Sequence, residues 1–290
     1  MKKSKVIKSL FALSATFILA SPINYAGTVK AANAGIDGKL FAENILQLDE
    51  QELKEDATSL IKQIDGMTDE EFDKFIVTFK KEFKGTPDEA KQELSLLDIE
   101  YSTKKVDHAS IASSKKAKHP SVSSSDLEAA DLEFSITQSK RGKDSFYRLI
   151  STFGAKYAVF DHGSYDLVSI EWDPDVASYY DAVVGNEKRA SLRDGSKRKQ
   201  GIYMFNVYDY REDFDTYAAV YVEPKVKDKW LEYGSKYTHT YVTSGSGSSG
   251  QASFSFGKGN IGTSLSYSIN PSSNESSWEK WDDGAVKVKY

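Results

Sequence analysis

Hydrophobic side chains change their spacing once along this chain, and the change divides it. In the first third they recur at helical offsets. Phe72, Phe75, Ile76, Phe79 and Phe83 follow one another at offsets 0, 3, 4, 7 and 11, a single stripe on an α-helix. Thr68 and Glu71 precede the stripe as a capping box. The hydroxyl accepts from the third helical amide and the carboxylate reaches back to the capping residue. Leu53, Ala57, Leu60, Ile61 and Ile64 mark another helix, starting near Asp49 and stopping at Gly66. Gly85 ends the Phe-rich helix, and Thr86-Pro87 opens a further one carrying Ala90, Leu94 and Leu97. A short helix is expected from Leu40 to Leu46. Short connections between such stripes predict an antiparallel helical unit. Residues 35–100 hold 18 acidic and 8 basic residues, as solvated faces around a Phe-rich core would. The same stripe also suits docking onto the rest of the chain, as a pro-region does.

Past residue 130 the period falls to two. Fifteen of the 17 tyrosines and all four tryptophans lie beyond residue 140. Strand-like runs are expected at 156–160, 165–172, 202–210, 216–222, 237–243 and 285–290, with a hairpin across Arg211 to Asp215 and a short helix from Asp175 to Val184. Between the two periods lies a segment with eight serines and five lysines in residues 102–125, too poor in large apolar residues to bury itself. The predicted architecture is therefore α+β in two parts. A signal peptide (1–34) precedes an antiparallel helical domain (35–101), a Ser/Lys-rich linker (102–125) and an all-β sandwich or partly closed barrel (126–290).

Lys2, Lys3, Lys5 and Lys8 lead into an apolar run from Ser9 to Ala20, followed by small residues and Ala32-Asn33-Ala34. That order describes a secretory signal peptide, and the run is shorter than the ~20 residues of a spanning helix. The expected location is secreted, extracellular or at a cell surface. The 290 residues include no cysteine, which excludes disulfides and thiolate chemistry, and a net charge of −5 argues against nucleic acid as a partner.

No catalytic or cofactor-binding signature is present: no G-x-S-x-G, H-E-x-x-H, phosphate loop or dinucleotide fingerprint. The expectation is a protein without enzymatic activity, cofactor or metal. Asp161-His162-Gly163-Ser164 reads as a turn, since a triad is made in space and not by adjacency. Two carboxylate runs were weighed for calcium: Glu171, Asp173, Asp175 and Asp181, then Asp209, Glu212, Asp213 and Asp215. Neither has the spacing of a calcium loop.

Two features carry the functional expectation. Lys188, Arg189, Arg193, Lys197, Arg198 and Lys199 put six cations into twelve residues of an acidic protein, a patch suited to a cell-wall polymer or an anionic membrane surface. Across Gly257 to Asn260, Phe254 and Phe256 alternate with small residues, and so do Ile261, Leu265, Tyr267 and Ile269. Such a ribbon has one apolar and one Ser/Gly face. It fits a half-buried hairpin, or the stem of a pore. The leading expectation is a β domain that binds a cell-surface or extracellular ligand. The alternative is a secreted pore-forming or bacteriocin-like toxin with the helical unit as its pro-region. Trp172, Trp230, Trp278 and Trp281 add sugar stacking as a further role.

Overall fold

The computed structural model describes residues 35–103, 127–156, 166–193, 197–209, 213–242, 252–256, 265–269 and 275–289. The apolar run at 9–20, most of the linker, the 161–164 turn, Glu212 and Ile261 lie outside the described residues. Gly35–Tyr290 is one compact unit.

Four helices come first: α1 (Gly38–Ile45), α2 (Glu50–Gly66), α3 (Asp69–Glu82) and α4 (Pro87–Leu96). Their starts are set locally. Asp49 with Glu52, Thr68 with Glu71 and Thr86 with Glu89 each close a capping box, and Pro87 occupies the first turn of α4. A capping side chain contributes about 1 kcal/mol, because it satisfies an amide that has no partner inside the helix. Gly38 lies so close to α3 that a β-carbon there would stand 1.8 Å from the Glu71 carbonyl oxygen, so only glycine lets α1 pack on α3.

Twelve strands follow among the described residues: β1 (Ile99–Ser102), β2 (Glu133–Arg141), β3 (Tyr147–Ala155), β4 (Asp166–Trp172), β5 (Ala177–Val184), β6 (Ala190–Leu192), β7 (Ile202–Val207), β8 (Phe214–Pro224), β9 (Trp230–Val242), β10 (Ala252–Phe256), β11 (Leu265–Ile269) and β12 (Glu275–Lys287). They form two antiparallel five-stranded sheets. Sheet one runs β1-β2-β3-β8-β5 and sheet two runs β12-β9-β4-β7-β6, while β10 and β11 pair separately as a ribbon. The β part is thus a sandwich of two sheets.

Alternation along β3 and β8 shows how the layers stack. Leu149 and Phe153, with Ala218, Val220 and Val222, face sheet two, where they meet Val168, Ile170, Phe205 and Tyr237. Ile150, with Tyr217, Ala219 and Tyr221, faces the helices and joins Phe72, Phe75, Ile76 and Phe79. Sheet one is buried on both faces. The result is three layers, helix on sheet on sheet. The helical unit expected as a separate domain therefore shares a core with sheet one, and the boundary drawn at residue 101 falls inside β1, whose Ile99 and Tyr101 belong to that core.

Two further expectations differ from the structure. Within the segment 175–184, Ala177–Val184 form strand β5 and not a helix. Its register on β8 shifts between Tyr179 and Asp181, and this bulge interrupts the alternation that would have marked it. The residues on either side of Arg211 to Asp215 do not form a hairpin, because β7 pairs with β4 and β6 while β8 pairs with β3 and β5. The chain there crosses from one sheet to the other.

A buried ionic cluster seals α3 to sheet one. Arg148 is fully buried, with Phe72, Phe146 and Tyr221 rings 4.8, 4.6 and 5.1 Å from its guanidinium. Arg148 and Arg141 both pair with Asp69 of α3 and with Asp144. Arg141 also donates to the Met67 carbonyl at 2.8 Å. Asp73 completes the group, accepting from the Tyr221 hydroxyl at 2.6 Å, with Arg148 Nε 3.2 Å away. Two cations thus face three carboxylates. Asp69 and Asp144 already balance the guanidiniums, so an ionised Asp73 is in excess. Burial, only partly offset by Arg148, pushes the Asp73 carboxyl up from 3.8 to about 7. Beside it, Lys80 of α3 donates to Ser135 Oγ at 2.6 Å and Thr152 Oγ1 at 2.9 Å on sheet one.

The packing generates two predictions. Removing Arg148 leaves Arg141 alone against three carboxylates and takes away the cation paired with buried Asp73, so Arg148→Ala costs about 3–5 kcal/mol in urea unfolding. A fragment spanning 126–290 leaves Phe146, Ile150, Tyr217 and Tyr221 without their helical cover, and it shows no cooperative melt. A sharp two-state transition in that fragment contradicts the shared core. A third prediction follows from Asp73. Its folded pKa lies above its unfolded value, so its contribution is fullest below about pH 4 and is lost as pH rises through about 7. Asp73→Asn removes that loss, so the stability of the variant relative to the parent rises between about pH 4 and about pH 8. A difference that stays flat with pH overturns the assignment.

Candidate functional site

The cationic segment belongs to the β6 edge of sheet two. A turn closed by Arg189 and Ala190 amides on the Asn186 carbonyl sets Lys188 and Arg189 just before β6. The Asn186 side chain caps the Lys188 amide at 3.0 Å. Arg193 directly follows β6. Lys197, Arg198 and Lys199 form a short helical turn before β7, ended by Gly201. Gly201 has φ +75°, and a β-carbon there would stand 2.1 Å from the Trp172 carbonyl oxygen, so glycine fixes this turn against the sheet. The six cations therefore stand in two groups at either end of a three-residue edge strand.

Their side chains differ in role. Lys188, Arg198 and Lys199 are exposed, while Arg189, Arg193 and Lys197 are half-buried. Arg189 donates to the Asp213 carbonyl at 3.4 Å and Arg193 donates to Asn206 Oδ1. The Arg198 guanidinium lies 4.9 Å from the centre of the Tyr179 ring, which stacks on Tyr203 at 5.5 Å. The segment expected as a loose loop is thus held to the sheet through its arginines. Leu192 of β6 is exposed between the two groups.

The ribbon register places Ala252 opposite Ile269, Phe254 opposite Tyr267 and Phe256 opposite Leu265. The apolar positions of both arms therefore share one face, in the alternation the sequence predicts.

The carboxylate runs do not converge. Glu171 accepts from Ser169 and Asp173 from the Asp175 amide. Asp215 pairs with Lys81. Of the tryptophans, Trp172 and Trp278 are buried and donate to the carbonyls of Ala177 and Leu127. Trp230 and Trp281 are exposed. A cleft of about 890 Å³ in the helical layer includes Glu43, Glu50, Glu82, Glu89 and Glu93 in its lining, and several of these already serve the helices, Glu89 as a cap and Glu50 as the partner of Lys54.

Asp209 instead joins a buried group that sequence reading did not assemble. Asp166 opens β4, Asp209 lies just past β7 and His239 sits in β9, three neighbouring strands of sheet two. His239 Nδ1 is 2.8 Å from Asp166 Oδ2 and 3.3 Å from Asp209 Oδ2. Tyr237 donates its hydroxyl to Asp166 Oδ2, and the Thr240 amide donates to Asp166 Oδ1 at 2.8 Å. Trp278 packs on the imidazole with ring centres 5.1 Å apart. Burial raises Asp166 from 3.8 to about 6 against the pull of His239, and Asp209 adds to the rise. The signal for this site is slight. His239 takes the place of an apolar residue between Tyr237 and Tyr241, on the face that packs into the core.

No protein-family model and no curated protein matches this chain. Three solved structures overlap parts of it. The sixth cohesin of Acetivibrio cellulolyticus scaffoldin B, in complex with a dockerin, shares 11% identity over 32% of this chain and 74% of its own, with a TM-score of 0.23. The cohesin module of a Clostridium perfringens family 33 glycoside hydrolase shares 11% over 46% and 82%, at 0.23. A structure concerning pH-induced modulation of Streptococcus parasanguinis adhesion by Fap1 fimbriae shares 10% over 53% and 79%, at 0.25. At these scores the likenesses add nothing to what the two sheets themselves show.

Proposed function

We propose that this protein is a secreted, non-enzymatic binding module. Its β sandwich holds an anionic cell-wall polymer or membrane surface through the cations around β6. The observation that carries this reading is the placement of Lys188, Lys197, Arg198 and Lys199 at an edge of sheet two, while the acidic helices pack on sheet one. Residues 35–100 hold 18 acidic against 8 basic residues, so an acidic excess lies on the helical layer, apart from the β6 cations. Such a molecule meets a polyanion with its β6 edge first. The basic, then apolar, N-terminus supports export. No helix among the described residues is long and apolar enough to cross a membrane.

Exposed charges are screened over about 8 Å at physiological salt, so binding to anionic vesicles or cell walls falls steeply as salt rises. Each lysine near an anionic surface contributes about 1 kcal/mol, so Lys188, Lys197 and Lys199 changed together to Gln weaken binding about 100-fold and flatten the salt dependence. Unchanged circular dichroism shows that the fold survives. Equal binding by parent and variant overturns the reading.

The ribbon supports a second reading, the pore-forming one, because β10 and β11 pair outside both sheets and gather their apolar positions on one face. Among the described residues each paired arm spans five residues, whereas a bilayer-crossing strand needs about 9–11. The helical layer also shares a core with sheet one, which opposes a detachable pro-region. A binding module leaves dye-loaded anionic vesicles intact. Dye release by the parent, abolished by Phe254→Ala without a fall in melting temperature, favours the pore instead.

A further inference from the structure

The Asp166, Asp209 and His239 cluster is buried in sheet two, and the binding reading makes no use of it. All three side chains are buried; Asp209 is 4% exposed and His239 0%. Their ligand-type atoms lie within 4.8 Å of one another. Among the described residues no lysine or arginine pairs with either carboxylate. Asp209 Oδ2 has no hydrogen-bond partner, though it points toward His239 Nδ1 at 3.3 Å. A buried carboxylate oxygen without a donor is costly, and two buried carboxylates here share one imidazole.

A divalent cation resolves both problems, since two carboxylates and a neutral imidazole neutralise its charge. We infer that Asp166 Oδ2, Asp209 Oδ2 and His239 Nδ1 form a binding site for a divalent transition-metal ion of the zinc class. The donor set selects the class. Calcium asks for six to eight oxygens, whereas imidazole nitrogen with carboxylate oxygen suits zinc and its neighbours. The spacing fits as well. Ligand atoms about 2.1 Å from one ion stand about 3.0–3.4 Å apart; the two spacings that involve His239 are 2.8 and 3.3 Å, and the whole set lies within 4.8 Å. The outer contacts are those a metal site needs. Tyr237 and the Thr240 amide hold both oxygens of Asp166, and Trp278 holds the imidazole plane. The ion would join β4, the end of β7 and β9, three strands that no disulfide can cross-link in a chain without cysteine.

The full secreted chain is stripped with EDTA, then titrated with zinc chloride and separately with cobalt chloride. The expected result is uptake of about one ion per chain, a melting temperature several degrees higher in zinc than in EDTA, and a visible cobalt absorption. Asp209→Asn gives the decisive comparison, because it keeps the shape of the side chain. In EDTA the variant melts no lower than the parent, since a buried charge has gone. In zinc it gains nothing. His239→Gln likewise loses the cobalt absorption. If the parent melts at the same temperature in zinc as in EDTA, or if the zinc increment survives Asp209→Asn, the site is wrong and the cluster is neutralised by protons. Anionic-surface binding by the β6 cations is scored separately on the same samples, so the two readings fail independently.

Discussion

The guanidinium of Arg148 sits where all other packing in this protein must accommodate it. It projects from the face of β3 that meets α3, is fully enclosed, and is stacked among Phe72, Phe146 and Tyr221. A charge placed there is tolerable only if carboxylates reach it from both sides. Asp69 and Asp73 come from the helix and Asp144 from the β2–β3 turn. The ionic cluster therefore requires α3 to lie on sheet one in a single register. Apolar burial alone would permit sliding, because it is not directional. Once α3 is fixed, β8 can expose aromatic and small side chains on its outer face and still be covered.

That arrangement uses up one face of the molecule and leaves the other for binding. The helices cover sheet one, so surface available for a partner on the β side belongs to sheet two and its edges. An edge strand carries unpaired backbone groups and is commonly protected by charge. In β6 that protection is the cluster of lysines and arginines, the same charges on which the proposed polyanion binding rests. The arginines are tied inward to Asp213, Asn206 and Tyr179, which holds the two groups of cations in place while Lys188 and Lys199 stay in solvent. Gly201 contributes through its backbone, since no other residue allows the 197–201 turn to approach Trp172 so closely.

The core of the sandwich is aromatic and contains few strong constraints of its own. Tyrosines 203, 233, 237 and 241 fill the space between the sheets with Trp172 and Trp278. Within that filling, Asp166, Asp209 and His239 form an ionisable group, with Asp166 held in place by Tyr237 and Thr240. A polar group of this kind in a core is retained at a cost in stability. Its three members come from three separate strands, so whatever neutralises them also links those strands.

The features the sequence determined by itself are those whose partners lie a few residues apart. Thr68 and Glu71, Thr86 and Glu89, and Asp49 and Glu52 close their caps within one turn, so the helix starts were legible from spacing alone. The ribbon alternation was legible for the same reason, since Phe254 and Phe256 stand two apart in an extended chain. The composition change near residue 130 marked where most strands begin, although β1 precedes it. The tertiary structure decided everything that depends on which strand lies beside which. Nothing local distinguishes a hairpin from a crossing between sheets, so β7 and β8 read as neighbours although they lie in different layers. The bulge at Tyr179 and Asp181 hid β5 by breaking its period. Nothing local marks Arg148 as buried, because two of its partners, Asp69 and Asp73, come from α3. Asp166 and His239 are 73 residues apart, and only the pairing of β4 with β9 brings them together. Capping and alternation are short-range and fixed by the chain's own geometry, whereas burial and charge pairing depend on neighbours that the chain acquires only when it has folded.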